Sequence, residues 1–237
     1  YPWAVMKPFV ELDHELISGQ RRLALFQRGD DFYIQIDGEE LMSSRRHGSE
    51  EDLARLALAE LGPGARAPRV LVGGLGLGYT ARAALDRLPP DGALTVAEVY
   101  SSVVRWNRER LGHLAGYPLR DPRATVVEAD VAELLRPRAF DVILLDVDNG
   151  PDALTRPENE RLYDDAGLAR IRRCLGRGGV LGLWSAAGDE RFLRRLRGAG
   201  FDARCETVRA RRAGKGSRYT IFLARPGAPG TRRPRRR

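Results

Sequence analysis

Cysteine is nearly absent from this chain of 237 residues, occurring only at Cys174 and Cys205. Two thiols exclude a disulfide framework and a cysteine-built metal centre, and their scarcity fits a reducing, cytoplasmic setting. Histidine occurs three times; His14 and His113 stand alone and read as structural, so no metal ion is expected. Long apolar runs are missing as well. None approaches the roughly 20 residues of a membrane span, so no membrane partner is expected. The opening Tyr1-Pro2-Trp3-Ala4-Val5-Met6-Lys7 lacks the charged-then-apolar order of a signal peptide, and its start at Tyr1 rather than Met reads as a trimmed chain.

Lysine is scarce too, found only at Lys7 and Lys215 among forty basic residues. The net charge of +8 is therefore an arginine charge, and five of those arginines lie in residues 226–237, which leaves +3 for the rest. That excess is too small and too scattered for a dedicated nucleic-acid surface. The Pro/Gly/Arg tail reads as disordered, with nonspecific polyanion contacts at most. What is plentiful is apolar residue, 43% of the chain, enough for one sizeable core with a small appended subdomain.

Two short alternating runs, 23–27 and 32–36, flank the turn-prone Arg28-Gly29-Asp30-Asp31 and predict a β-hairpin. A third strand over 39–44 follows the Asp37-Gly38 turn, so residues 1–48 are expected to form a small β subdomain. Ser49, with Asp52 three residues on, then resembles a capping box for a helix that places Leu53, Leu56, Ala57 and Leu61 on one face. From there strands over 69–72, 94–99, 124–128, 140–146 and 180–184 alternate with helices over 79–88, 101–114, 131–135, 165–175 and 190–199. Strands over 201–208 and 219–224 close the domain as an antiparallel pair. This alternation predicts an α/β, Rossmann-like doubly wound sheet over 49–225, with 226–237 as a tail.

Ligands of such sheets bind beyond the carboxyl ends of the strands. The first strand there breaks into Gly74-Leu75-Gly76-Leu77-Gly78, a turn that lets backbone approach an anionic, nucleoside-like ligand at a helix N-terminus. Glu98 follows 24 residues beyond Gly74, at the end of the second strand, where an acid can accept from ribose hydroxyls. Asp130 follows the third strand. Asp146-Val147-Asp148-Asn149-Gly150-Pro151 ends the fourth, and Asp146 is the strongest candidate because it closes the apolar run Val142-Ile143-Leu144-Leu145. Each has a plainer reading: Glu98 and Asp130 as solvated or helix-capping acids, Asp148 and Asn149 as turn residues.

The order of Gly-rich turn, Glu98, Asp130 and Asp146, behind a β-hairpin subdomain and ahead of an antiparallel pair, resembles the class I S-adenosylmethionine-dependent transferases, and within them the spermidine synthases. The resemblance implies a seven-stranded sheet that holds the adenosyl cofactor at Gly74, Gly76 and Gly78, with Glu98 on the ribose and Asp130 on the adenine amine. Asp146, with Asp148 as a second catalytic carboxylate, would orient or deprotonate the attacking acceptor, and a homodimer would be in keeping. The departures bear on the acceptor. Leu77 stands where spermidine synthases carry the loop acid that meets an aminopropyl ammonium. Leu41, Arg46-His47 and Glu50 stand where they carry a Gln and an Asp-Glu-x-x-Tyr run, and Asn149-Gly150 replaces an Asp-Pro.

A neutral Leu77 suits intact S-adenosylmethionine rather than its decarboxylated form. A mouth lined by Arg45, Arg46 and His47 would repel a polycation, so methyl transfer to a small anionic or zwitterionic acceptor is expected, with Arg46, His47, Glu50 and Asn149 on the acceptor side. The alternatives are aminopropyl transfer to a polyamine, a nucleoside-binding homologue without turnover, and a dinucleotide oxidoreductase through Gly76-Leu77-Gly78-Tyr79-Thr80-Ala81.

Overall fold

Continuous apolar runs make the central strands, because a strand covered on both faces has no reason to alternate. The computed structural model describes residues 7–62, 65–147, 159–210 and 216–227. Strand β5 (Arg69–Gly73) and strand β8 (Phe140–Leu145) lie side by side at the centre of a seven-stranded sheet. In both strands successive side chains enter opposite cores. Val70, Val72, Val142 and Leu144 pack on one face, and Leu71, Ile143 and Leu145 on the other.

The full order is β10 (Phe201–Arg209), β11 (Arg218–Pro226), β9 (Leu175–Ser185), β8, β5, β6 (Ala93–Glu98) and β7 (Ala124–Glu128). β5 through β9 run parallel, and β11 and β10 are antiparallel, as the sequence predicts. The chain leaves β5 toward β6 and β7 and later returns to β8 on the other flank of β5. The strand order therefore reverses between β5 and β8, and a crevice opens at their carboxyl ends.

Helices α1 (Gly48–Leu61), α2 (Tyr79–Leu85) and α3 (Ser101–Trp106) belong to one core. The other is covered by α4 (Val131–Leu134), α5 (Glu160–Tyr163), α6 (Asp165–Cys174) and α7 (Glu190–Gly198). The expected capping box at Ser49 is corrected. The helix starts one residue earlier with His47 as its cap and no side-chain cap bond, because the Ser49 hydroxyl donates to Glu50 at 2.6 Å instead. The helix expected over 101–114 is interrupted: after Trp106 it widens into a π turn over Asn107–Leu111 and then tightens into a 3-10 turn.

In front stands a second sheet, four antiparallel strands in the order β1 (Val10–Ile17), β2 (Arg21–Arg28), β3 (Asp31–Ile36) and β4 (Glu39–Ser43). β2, β3 and β4 are the hairpin and third strand read from the sequence. β1 was not foreseen, because Glu11, Asp13, His14 and Glu15 mask its alternation; as an edge strand it needs little apolar surface, and its acids pair with Arg22 and Arg105. Among the described residues no helix is long and apolar enough to cross a membrane. The tail beyond Gly227, Asp148 and Asn149 lie outside the described residues.

Candidate active site at the carboxyl edge of the sheet

The glycine turn follows β5 directly and is shaped by close backbone approach. Gly74, Gly76 and Gly78 all have positive φ, at +87°, +52° and +87°. The Gly74 amide donates to the Ala97 carbonyl at 2.9 Å, and a side chain there would run into the Asp146 carbonyl oxygen. A Cβ on Gly76 would lie 2.7 Å from the Met42 thioether, which β4 lays over the turn. Glycine is thus required at 74 by the backbone of the main sheet, while at 76 the left-handed φ favours it beneath the flexible end of Met42.

Glu98 braces the turn from the end of β6. One carboxylate oxygen accepts from the Leu75 amide and the other from the Tyr100 amide, both at 2.9 Å. Burial pushes its pKa up, against the pull of those two amides. Asp130 caps α4 by accepting from the Ala132 amide at 2.8 Å and pairs with Arg161 at 2.7 Å. Asp130 thus takes the helix-capping reading, whereas Glu98 is buried rather than solvated and braces the turn. Both also line a narrow cavity whose floor includes Gly74 and Asp146.

A larger cavity of about 380 Å³ adjoins it, between the small sheet and α1. The two share a waist formed by Leu41, Met42, Gly76, Tyr100, Asp146 and Val147. Asp146 stands at that waist. The register Gly73↔Leu145 and the Asp146 amide, which donates to the Gly73 carbonyl at 2.9 Å, place it beside the glycine turn. The hydroxyl of Thr80, on α2, donates to Oδ2 of Asp146 at 2.8 Å. Burial raises the Asp146 pKa to about 6, and the Thr80 bond opposes the rise.

Glu50, in the first turn of α1, lines the same cavity. Burial raises its pKa to about 8, with the Asp146 charge adding to the rise and the Ser49 hydroxyl opposing it. At neutral pH the site thus holds one protonated and one ionised carboxyl. A pair pushed apart in this way divides acid and base roles.

The Glu50 pKa has a consequence for stability. In the unfolded chain Glu50 ionises near 4.5, but in the fold it keeps its proton to about 8. The native state therefore binds the extra proton between those values, and stability falls as pH rises through that window. Glu50→Gln should leave Tm nearly unchanged at pH 4.5 and raise it at pH 8, by about 2–4 °C for each kcal/mol recovered. Thermal melts across that range check it; a variant that melts below wild type at pH 8 would contradict the burial of an ionisable Glu50.

The basic mouth expected at Arg45, Arg46 and His47 is corrected. Arg46 does line the larger cavity, but it is paired with Glu40, which lines it too. Arg45 pairs with Asp31 at 3.7 Å. His47 is not brought to that cavity. Its ring stacks on Tyr79 at 4.2 Å, it hydrogen-bonds Glu51 at 2.9 Å, and it lines an outer cleft on the far side of Tyr79. Acids outnumber bases around the cavity, and Tyr79, Tyr100, Trp184 and Tyr219 supply aromatic wall. Leu77 is buried at its edge, so the turn presents no carboxylate of its own. Thr80, Met42 and Tyr219 were missed from sequence because only the fold brings them to the cavity that Asp146 lines.

No family model and no curated protein sequence matches the chain. The architecture itself is of the class I S-adenosylmethionine-dependent methyltransferase type, a seven-stranded Rossmann-like sheet with an antiparallel final pair. Nearly the whole chain, the small sheet included, superposes on solved spermidine synthases, a likeness of fold. The enzyme from Thermotoga maritima superposes with a TM-score of 0.70 at 22% identity, over 92% of this chain and 73% of that one. A spermidine synthase in complex with the transition-state analogue AdoDATO gives 0.69 at 21% identity, over 92% and 72%. A Klebsiella pneumoniae protein assigned as an O-methyltransferase gives 0.52 at 23%, over 76% and 80%.

Proposed function

We propose that the chain is a group transferase that uses S-adenosylmethionine to alkylate a small acceptor bearing an amine, with Asp146 as the base. The observation that carries this is the placement of Asp146 at the waist between a cavity lined by Gly74, Glu98 and Asp130 and one lined by Glu50 and aromatic rings. The narrow cavity suits a nucleoside: Glu98 offers oxygens for ribose hydroxyls, Asp130 for an exocyclic amine, and the glycine turn allows close approach. When bound, the cofactor supplies an electrophilic methyl on a sulfonium. With the cofactor held there, Asp146 would orient the acceptor nitrogen toward that methyl and take the proton the nitrogen sheds on alkylation. Thr80, bonded to one Asp146 oxygen, leaves the other for the acceptor. The acidic balance of the larger cavity favours an amine or a zwitterion over a purely anionic acceptor.

The acid pair also supports a second reading, aminopropyl transfer from the decarboxylated cofactor. Calorimetric titration with S-adenosylmethionine, its decarboxylated form and methylthioadenosine separates the two. Tighter binding of the intact cofactor is expected, because Leu77 offers no carboxylate to an aminopropyl ammonium. Preference for the decarboxylated form would establish the second reading, and absence of binding by all three would overturn the transferase reading.

A further inference from the structure

Asn107 opens the π turn that interrupts the third helix, and it sends its side-chain amide back onto the glycine turn. Nδ2 donates to the Gly76 carbonyl at 2.7 Å and to the Val103 carbonyl at 2.9 Å. Two carbonyl oxygens face it, so the group there has to be a double donor. On its other side, Oδ1 lies 3.2 Å from where a Cβ on Gly78 would sit. One amide therefore abuts the turn at both Gly76 and Gly78.

This is an expensive residue to keep in a core. Asn107 is only 2% exposed, and its Oδ1 has no hydrogen-bond partner. A buried, unsatisfied amide oxygen destabilises a fold, and a leucine of the same branched shape carries no such atom. What the asparagine contributes in exchange is a tether on Gly76, a residue with the freedom of glycine that lines both cavities. A π turn inside a helix is itself a device that redirects one side chain, and such turns cluster at functional sites.

We infer that Asn107 is a positioning residue for the nucleoside cofactor: it touches no ligand, but it holds the Gly76 peptide in its binding orientation so that the turn is preorganised. The inference rests on the nucleoside reading of the narrow cavity. Its test uses Asn107→Leu, which keeps the branched shape but removes the tether, and Asn107→Asp, which presents an acceptor to two carbonyls. Titration with S-adenosylmethionine and methylthioadenosine is combined with thermal melts and with hydrogen exchange of the amides of residues 74–78.

The Leu variant should keep the wild-type Tm within a few degrees, lose about tenfold in affinity for both nucleosides, and exchange its turn amides faster in the free protein. The Asp variant should lose more at pH 8. Relative to wild type at the same pH, it should recover several-fold at pH 5.5, as its carboxyl gains a proton and becomes a single donor. If the Leu variant does not fold, the pH-dependent recovery of the Asp variant carries the test alone.

Wild-type affinity and exchange in both variants would overturn the inference. So would affinity lost only in step with Tm and without recovery at low pH, which is the signature of a structural role. Should wild type bind neither nucleoside, the transferase reading fails, while turn exchange still reports whether the tether exists.

Discussion

Asp146→Asn should bind the nucleoside cofactor about as well as wild type and lose about 10²- to 10⁴-fold in kcat, the usual contribution of a positioned general base. The amide is nearly isosteric and keeps an oxygen that the Thr80 hydroxyl can reach, so the waist between the cavities should hold its shape. What it loses is the capacity to take a proton. The pH profile gives a second readout. Burial raises the Asp146 pKa from 3.8 to about 6, so wild-type kcat should climb as pH passes that value and the base ionises. The rise should be missing from the Asn variant. Neutralising Asp146 also removes a charge that pushes the Glu50 pKa up, so Glu50 should titrate lower in the variant. A full-rate Asp146→Asn protein with a wild-type pH profile would remove Asp146 from the chemistry.

Asp146 was legible in the sequence for a local reason: a carboxylate that closes a fully apolar strand is carried to the edge of a core whatever the rest of the fold does. The same holds for β5 and β8, whose uninterrupted apolar runs announce buried parallel strands, and for the glycine turn that follows β5. The edge strand β1 was not legible, because a strand held by ion pairs at a sheet margin does not need the apolar alternation that reveals one. Nor were the partners of charged side chains. Arg46 turns back to Glu40 on the preceding strand β4, and Thr80 reaches Asp146 across 66 positions of chain. Chain spacing alone leaves both pairings open. Hence Glu50 and Asp146, read from positions far apart in the chain, line one cavity, while Arg45 and Arg46 are each paired with an acid. His47 shows the same limit at short range. Its neighbour Arg46 lines the cavity, but one residue on, at the start of α1, the side chain turns outward to stack on Tyr79.

The largest loss of stability should come from Gly74→Ala, about 3–5 kcal/mol, or a fall in Tm of about 10 °C for a domain of this size. Two effects add. Gly74 has φ +87°, where an L side chain is strained, and its Cβ would be forced into the carbonyl oxygen of Asp146, part of the rigid carboxyl end of β8 rather than a side chain that can swing away. Gly38→Ala separates them, since Gly38 has nearly the same φ, +86°, with nothing within 4 Å of the new methyl. That variant should lose only about 1–2 kcal/mol, the conformational part. The excess in Gly74→Ala measures the contact between turn and strand. If the two substitutions destabilise equally, then β5 and β8 do not approach as closely as this at their carboxyl ends. If the excess is found, affinity for the nucleoside should fall with it, because relief of the clash can come only by moving Asp146 or opening the glycine turn, and both line the cavity in which the cofactor is proposed to sit.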